Sequence, residues 1–204
     1  MIAVVDYGAG NLGSVARALR VLGEAPVIAA DPETIAAADR LILPGVGAFA
    51  AGMANLTAGG LAEPIRTFIG SGRPFLGICV GLQVLLSESE EGTPENPRPR
   101  GLGIFPGRVR LLPGPGKVPQ IGWNSLRLTR PHPLLDGLDG EFFYYVHSYY
   151  ADPADRSLVA AETEYGIAFA AVLAHENVLA VQFHPEKSGR AGLRLLRAFC
   201  GRAA

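Results

Sequence analysis

The chain of 204 residues is poor in cysteine, with only Cys79 and Cys200. Two cysteines so far apart do not form the disulfide framework of a small secreted domain, and Cys200, in the last helical segment, is interpreted as a packing residue. The four histidines show no metal-ligand spacing with these cysteines. The sequence therefore predicts neither a disulfide scaffold nor a metal site.

Excess charge and long apolar runs are also absent. The 18 basic and 19 acidic residues give a net charge of −1, and no cluster of lysine or arginine indicates a nucleic-acid surface. No apolar run reaches membrane-spanning length, and the strand-like segment Ile2–Asp6 does not resemble a signal segment. We therefore expect a cytoplasmic protein with no nucleic-acid or membrane partner. With 49% hydrophobic residues, the chain can form a substantial core.

Strand-like and helix-like segments alternate over roughly the first ninety residues. Strands are predicted at Ile2–Tyr7, Pro26–Ala30, Arg40–Leu43 and Pro74–Ile78, and helices near Asn11–Gly23, Phe49–Ala58, Leu61–Gly70 and Val80–Glu88. This alternation predicts an α/β fold of the flavodoxin-like type. Its mostly parallel central sheet is flanked by helices, with ligand sites at the carboxyl ends of the strands.

The pattern changes after Gly92, where the proline-rich loops Thr93–Arg100 and Leu111–Gly116 occur. Short strands are predicted at Val109–Leu112, Ser125–Leu128, Phe142–Val146, Leu158–Ala161, Phe169–Leu173 and Val178–Phe183. They predict antiparallel strands attached to the sheet edge in the C-terminal half, and Ser188–Cys200 is predicted to be a closing helix. Without a convincing linker, we expect residues 1–204 to form a single domain.

Gly77–Gly81 places a cysteine between two glycines, where a predicted strand meets a predicted helix. Backbone N–H groups converge at a helix start, and their partial positive charge favours the thiolate, the reactive form of cysteine. The flanking glycines permit a sharp turn and close packing. The spacing is that of a nucleophile elbow, with a buried core cysteine as the alternative.

The segment Val181–Glu186 supplies what a thiol nucleophile requires, namely a base and a group that orients it. Residues two apart in an extended segment project to the same face, so Glu186 is expected to reach one ring nitrogen of His184. The other nitrogen would then face Cys79. Pro185 stiffens the link and removes a competing donor. These residues predict a Cys-His-Glu triad that needs no cofactor.

Gly8–Gly13 matches the G-x-G-x-x-G pattern between a predicted strand and a predicted helix. Asp31 lies near the end of the next predicted strand, where a ribose-binding acid would belong. A nucleotide-binding module is therefore the second functional hypothesis. The alternative is a tight glycine loop that exposes its backbone and Asn11. The later half shows no hydride-transfer site, so we rank the nucleotide hypothesis below the triad.

Six segments resemble those of the class I, or triad, glutamine amidotransferases. They span nearly the whole chain: Asp6–Leu12, Pro44–Phe49, Gly77–Gln83, Pro119–Asn124, Tyr145–Tyr149 and Gln182–Ser188. The elbow and the His-Pro-Glu segment are shared by many triad glutaminases. The N-terminal, Pro-Gly-Val-Gly and Gly-Trp-Asn segments narrow the resemblance to the glutaminase subunits of imidazole glycerol phosphate synthase.

The resemblance implies a heterodimeric enzyme of histidine biosynthesis. This subunit would hydrolyse L-glutamine to glutamate and ammonia through a thioester on Cys79. A (β/α)8-barrel cyclase subunit would use the ammonia to make imidazole glycerol phosphate and an aminoimidazole carboxamide ribotide. A triad glutaminase of another synthase, for example in the vitamin B6 pathway, is the alternative enzyme hypothesis.

Binding roles follow from the same resemblance. The residues expected to hold the glutamine α-amino and α-carboxylate groups are Gln83, Glu91, His147, Ser148 and Tyr149. The residues expected at the partner surface are Asn11, Trp123, Tyr144 and Lys187.

The oxyanion of a tetrahedral intermediate requires backbone donors. The Val80 N–H is one, because it follows the nucleophile. The second is expected from the Pro44–Phe49 loop, with Val46 or Gly47 as candidates. Glycines on both sides of Val46 would let that peptide flip between donating and non-donating states. Our hypothesis is that the liganded partner biases this flip.

Overall fold

The computed structural model describes residues 1–113 and 116–201, so the predicted loop Leu111–Gly116 lies partly outside the described residues. The strands are β1 (Ile2–Val5), β2 (Val27–Ala29), β3 (Arg40–Leu43), β4 (Phe75–Ile78), β5 (Leu86–Ser89), β6 (Phe105–Leu111), β7 (Gln120–Ser125), β8 (Arg127–Leu128), β9 (Phe142–His147), β10 (Tyr149–Pro153), β11 (Val159–Tyr165), β12 (Ile167–His175) and β13 (Val178–Val181). The α-helices are α1 (Leu12–Val21), α2 (Pro32–Ala37), α3 (Phe49–Ala58), α4 (Ala62–Gly70), α5 (Val80–Gln83) and α6 (Gly189–Phe199).

A large mixed sheet runs through the molecule in the order β2-β1-β3-β4-β13-β12-β10-β6-β5, and β11 pairs with both β12 and β8. The five strands from β2 to β13 are parallel. The next three pairings, from β13 to β6, are antiparallel. Strands β7 and β9 form a separate antiparallel pair, called the β7–β9 ribbon below. The predicted fold class is confirmed.

The central strands are buried because helices cover both faces of a parallel sheet. Strands β1, β4 and β13 are buried at every position, which accounts for their uninterrupted apolar sequences. Helix α1 buries Val15 and Leu19 against the core, and the Asn11 side chain caps it by accepting the Ser14 N–H. The carboxyl ends of β4 and β13 therefore lie side by side above a buried, apolar base.

Most predicted elements of the first half are confirmed: β1 to β4 and the helices α1, α3 and α4 lie where they were expected. The short helix α2 was not predicted, because six residues are too few to show a helical period. Its N-cap is Asp31, whose carboxylate accepts both the backbone N–H and the hydroxyl of Thr34. This capping role accounts for Asp31 without a nucleotide.

The predicted helix Val80–Glu88 is wrong beyond Gln83. Helix α5 ends there, and the chain continues into strand β5, where Leu86 pairs with Phe105 of β6. An apolar run such as 84–86 is compatible with either a helix or a buried strand, and only the partner strand decides between them.

Two predictions in the second half are also wrong. The predicted strand Ser125–Leu128 is the end of β7 followed by the separate strand β8. The segment Val178–Phe183, expected among antiparallel strands at the sheet edge, contains strand β13, which is antiparallel to β12 as expected but lies in the middle of the sheet and is parallel to β4. The other predicted strands and the closing helix are confirmed as β6, β9, β11, β12 and α6, whereas β10 and most of β7 were not predicted. No helix in residues 1–113 and 116–201 has the length and apolar character needed to cross a membrane.

Candidate active site

Cys79 occupies a sharp turn between β4 and α5. Its backbone has φ 54° and ψ −108°, and residues other than glycine rarely adopt such a positive φ. The flanking glycines are required by space: a Cβ on Gly77 would lie 2.7 Å from the Gly81 carbonyl oxygen, and one on Gly81 would lie 1.9 Å from the Leu43 carbonyl oxygen. The predicted elbow therefore has strained geometry and tightly packed backbone on both sides.

Strand β13 brings the second half of the site to this elbow. Val181 pairs with Ile78, and its carbonyl accepts the Cys79 N–H at 2.8 Å. His184 follows three residues later, and its N–H donates to the Tyr144 carbonyl at 2.9 Å. The register of β4 and β13 thus fixes the imidazole beside the thiol.

His184 and Glu186 form a buried pair. Nδ1 of His184 lies 2.8 Å from Oε1 of Glu186, and the two side chains are 2% and 1% exposed. The contact is made within the 3₁₀ turn Pro185–Lys187, and not along an extended segment as expected. Because a carboxylate only accepts, Nδ1 carries a proton, which leaves Nε2 to exchange protons. Nε2 has no regular hydrogen-bond partner in the described part of the chain.

The surroundings of His184 favour the imidazolium. Burial lowers its pKa, but interactions with Cys79 and Glu186 outweigh burial and raise the pKa to about 9. A histidine protonated at neutral pH beside a cysteine supplies the positive charge that favours a thiolate over a thiol.

Next to the thiol lies a cavity of about 250 Å³. Its lining includes Cys79 and His184, the expected oxyanion residues Val46, Gly47 and Val80, and the expected substrate residues Gln83, Glu91, His147, Ser148 and Tyr149. Pro119 and Val146, to which no role was given from the sequence, complete it. The structure therefore brings all the sequence-predicted reaction and substrate residues except Glu186 to one cavity, and Glu186 lies behind His184.

The Pro44–Phe49 loop packs directly on the elbow. A Cβ on Gly45 would lie 2.6 Å from Cβ of Val80 and 2.7 Å from the Tyr7 hydroxyl, whereas Gly47 has φ +91° and open space around it. Glu91 fixes the end of the loop, because its Oε2 accepts the Phe49 N–H at 2.7 Å. Burial raises the pKa of Glu91, and this hydrogen bond opposes the rise.

Gln83 and His147 are hydrogen-bonded within the protein. Nε2 of Gln83 donates to the Tyr149 carbonyl at 2.9 Å and to Oε1 of Gln182 at 3.2 Å. Nδ1 of His147 lies 2.8 Å from the same carbonyl, so it must carry a proton. Burial, and secondarily the charge of His184, lower the pKa of His147 to about 4 against the effect of this bond, so the ring is neutral at pH 7.

Sequence reasoning missed one residue of the site. Gln182 is fully buried, and its Nε2 lies 3.7 Å from Sγ of Cys79. The available signal was a polar residue directly after an apolar strand and two positions before the predicted base. Without the pairing of β13 with β4, that signal does not indicate which side chain Gln182 contacts.

The four expected partner residues lie around the turn after β13. Helix α1, which Asn11 caps, and strand β9, which carries Tyr144, both pack on the Pro185–Lys187 turn. Trp123 of β7 is 53% exposed, with its ring centroid 6.0 Å from that of Tyr144, and Lys187 Nζ lies 5.9 Å from the Tyr144 centroid. Ile121 and Phe142 are also exposed on the β7–β9 ribbon. An aromatic and aliphatic surface of this kind is typical of an interface.

The N-terminal glycines form a packed turn. The Gly8 N–H donates to the Asp6 carboxylate at 3.0 Å, and a Cβ on Gly10 would lie 3.3 Å from Pro44 Cγ. The turn therefore supports the Pro44–Phe49 loop. Among residues 1–113 and 116–201, no group of three or more His, Cys, Asp or Glu side chains is arranged to hold a metal ion.

Comparison with known proteins places this site in a family. The family model described as "Glutamine amidotransferase class-I" matches residues 3–202. Solved structures with the same fold include a glutamine amidotransferase (TM-score 0.76, 21% identity, 98% of each chain covered) and PurLQS from Thermotoga maritima (TM-score 0.76, 19% identity, 98% and 97% covered). The chain belongs to the class-I glutamine amidotransferase family.

More similar relatives narrow the assignment within that family. Proteins named "Imidazole glycerol phosphate synthase subunit HisH" are 51% identical in Methanothermobacter thermautotrophicus (98% of this chain and 97% of the relative) and 52% identical in Chloroflexus aurantiacus (98% and 94%). The relative of the same name in Syntrophotalea carbinolica is 50% identical, with 98% of each chain covered. Within the family, the chain belongs with the HisH subunits.

Proposed function

We propose that this chain hydrolyses L-glutamine to glutamate and ammonia, and that it supplies the ammonia to a cyclase subunit in histidine biosynthesis. The observation that carries the proposal is the strained Cys79 elbow, which shares one cavity with His184, whose ring is paired with Glu186. The full-length similarity to HisH subunits supports the same activity.

In the proposed reaction, the Cys79 thiolate attacks the side-chain amide carbon of glutamine and forms a tetrahedral oxyanion. The His184 imidazolium donates its Nε2 proton to the amide nitrogen, the C–N bond breaks, and ammonia leaves a γ-glutamyl thioester. Neutral His184 then takes a proton from water as the hydroxide adds to the thioester. Collapse of this second intermediate releases glutamate and restores the thiolate. Glu186 keeps the imidazole oriented and stabilises its charge.

The oxyanion is proposed to bind the Val80 N–H and a second N–H from Val46 or Gly47. The Val80 N–H is at the first position of α5, where no intrahelical acceptor exists. Close packing of Gly45 against Val80 supports a shared hole, and the open space around Gly47 supports a peptide that can reorient. Losing one such donor typically costs about 3–4 kcal/mol of transition-state stabilisation.

We propose that the remaining lining residues hold the amino-acid end of glutamine. Both amide hydrogens of Gln83 are already used, so only its Oε1 is available, and this acceptor and the Glu91 carboxylate suit an α-ammonium group. Ser148 and Tyr149 supply donors for the α-carboxylate. Neutral His147 lines the cavity beside these residues and adds no charge to it.

We propose that the partner is a (β/α)8-barrel cyclase subunit, which would form a heterodimer through the exposed surface around Trp123, Tyr144, Lys187 and Asn11. The exposed aromatic and aliphatic side chains of the β7–β9 ribbon support this location. Similarity to HisH subunits favours this partner over a synthase of the vitamin B6 pathway and over a nucleotide-binding module. We further propose that residues 1–204 are one domain and that the protein is cytoplasmic.

The test is glutamate release from L-glutamine by the wild-type chain and by Cys79→Ser, each with and without a histidine-pathway cyclase partner and its ligand. Wild type is expected to release glutamate fastest in the liganded complex, and Cys79→Ser to release none while keeping the wild-type circular dichroism spectrum. Cys200→Ala, which changes the only other cysteine, serves as the matched control and retains activity. Wild-type rates in Cys79→Ser would refute the mechanism, and equal rates with and without the liganded partner would refute regulation by the loop.

A further inference from the structure

Gln182 joins the nucleophile to the opposite wall of the cavity. It follows β13 and has no exposed surface. Its Nε2 lies 3.7 Å from Sγ of Cys79, and its Oε1 accepts Nε2 of Gln83 at 3.2 Å. The side chain does not line the cavity, so it reaches the sulfur from the protein side.

The hydrogen bonds fix which end of the Gln182 amide faces the sulfur. Nε2 of Gln83 also lies 2.9 Å from the Tyr149 carbonyl oxygen, which can only accept. The Gln83 end is therefore an NH2 group, and its second hydrogen requires an acceptor, which is Oε1 of Gln182. The NH2 group of Gln182 must then point to Cys79.

The chain of bonds continues to a fixed backbone group. Nδ1 of His147 donates to the same Tyr149 carbonyl at 2.8 Å, so this carbonyl receives two donors. Gln182 is held at its own backbone as well, since its N–H donates to the Ala171 carbonyl at 2.8 Å. The donor that faces the sulfur is thus held at both ends.

A donor in this position matters more to a thiolate than to a thiol. Hydrogen bonds to an ionised acceptor are roughly twice as strong as neutral ones, and a buried charge is costly without donors. Cys79 is only 3% exposed. Two titratable groups, His184 and Tyr7, interact with its sulfur, and burial together with the charge of Cys79 raises the pKa of Tyr7.

We propose that Gln182 is a positioning residue for the nucleophile: its amide holds Sγ of Cys79 in place and stabilises the thiolate that attacks glutamine. The inference rests on the proposed function, because it assumes that Cys79 is the nucleophile. Gln182 lies outside the cavity lining, and its role in the reaction is exerted through Cys79.

The test measures the rate of Cys79 alkylation by iodoacetamide between pH 5 and pH 10, with the labelled peptide quantified by mass spectrometry so that Cys200 does not contribute. Gln182→Glu is isosteric and keeps an oxygen for Gln83, and in its ionised form it places an acceptor where the donor was. It is expected to move the midpoint of the alkylation profile upward by about one pH unit or more. Gln182→Met, which removes the donor without adding charge, is expected to move it in the same direction. In the complex, both variants are expected to lower kcat more than they raise KM.

Thr163→Val is the control, because Thr163 is a buried polar residue hydrogen-bonded to Tyr145 and Ser125, on strand β11, which pairs with β12 and β8 and not with β4 or β13. Its midpoint is expected to equal that of wild type. Unchanged midpoints in both Gln182 variants would overturn the inference, as would an equal shift in Thr163→Val. Alkylation does not depend on glutamine, so this result is separate from the Cys79→Ser test. If Cys79→Ser releases no glutamate but the Gln182 variants show no midpoint shift, the glutaminase proposal is retained and only the role of Gln182 is rejected.

Discussion

Replacing Gly81 by alanine tests whether the elbow is held by backbone packing. The added Cβ would lie 1.9 Å from the Leu43 carbonyl oxygen and 2.9 Å from its carbon, whereas ordinary contact begins at 3.4 Å. Both contacts are with the backbone of a central strand, so no side chain can rotate away, and the two segments must separate by roughly 1.5 Å. Overpacking of this kind costs about 3 kcal/mol. For a chain of this size, the expected drop in Tm is about 6–12 °C.

The assay combines thermal unfolding with glutamate release in the liganded complex. Displacing the nucleophile by about 1 Å is expected to reduce kcat on the order of 100-fold. The control is Gly13→Ala, in helix α1, where an added Cβ meets nothing within 4 Å. It is expected to raise stability by up to about 1 kcal/mol. If Gly81→Ala has the same Tm as Gly13→Ala and releases glutamate at the wild-type rate, backbone packing at Gly81 does not hold the elbow.

Three further predictions concern other parts of the site. Glu91→Ala removes the acceptor of the Phe49 N–H and is expected to cost about 1–2 kcal/mol by urea unfolding, more than Glu91→Gln, which keeps an oxygen. Trp123→Ala, at a half-exposed position, is expected to leave stability within about 0.5 kcal/mol of wild type and to weaken cyclase binding at least about tenfold in calorimetry, and unchanged affinity would contradict the interface. The folded-state pKa of His184 is raised to about 9, so its stabilising contribution is complete below pH 6.5 and is lost as the pH rises through 9. In urea unfolding, the contribution of the His184 imidazolium to stability should decline as the pH rises through 9, and Glu186→Gln should flatten the decline.

The clustering of Cys79, His184 and Glu186 was predictable because the necessary signals are local. Gly77, Cys79 and Gly81 are close in sequence, and so are His184 and Glu186. Spacing alone was enough to indicate an elbow and a base with its orienting acid. The predicted backbone conformation between His184 and Glu186 was wrong, because the 3₁₀ turn Pro185–Lys187 replaces the expected extended segment.

What could not be predicted depends on strand register between distant segments. Cys79 and Gln182 are 103 residues apart, and their contact exists only because β13 lies beside β4. The same limitation applies to Leu86, whose strand is selected by pairing with Phe105. A single tryptophan is more often a core residue, whereas the family resemblance predicted Trp123 at the partner surface, and the structure leaves its side chain 53% exposed.

The central location of β13 has a consequence for synthesis of the chain. N-terminal elements emerge from the ribosome first, so β1, β3 and β4 are available to fold well before β13 has been made. Until β13 inserts beside β4, Cys79 contacts neither His184 nor Gln182. In a partly synthesised chain, Cys79 is therefore separated from His184 and Gln182. The three side chains come together only when β13 pairs with β4.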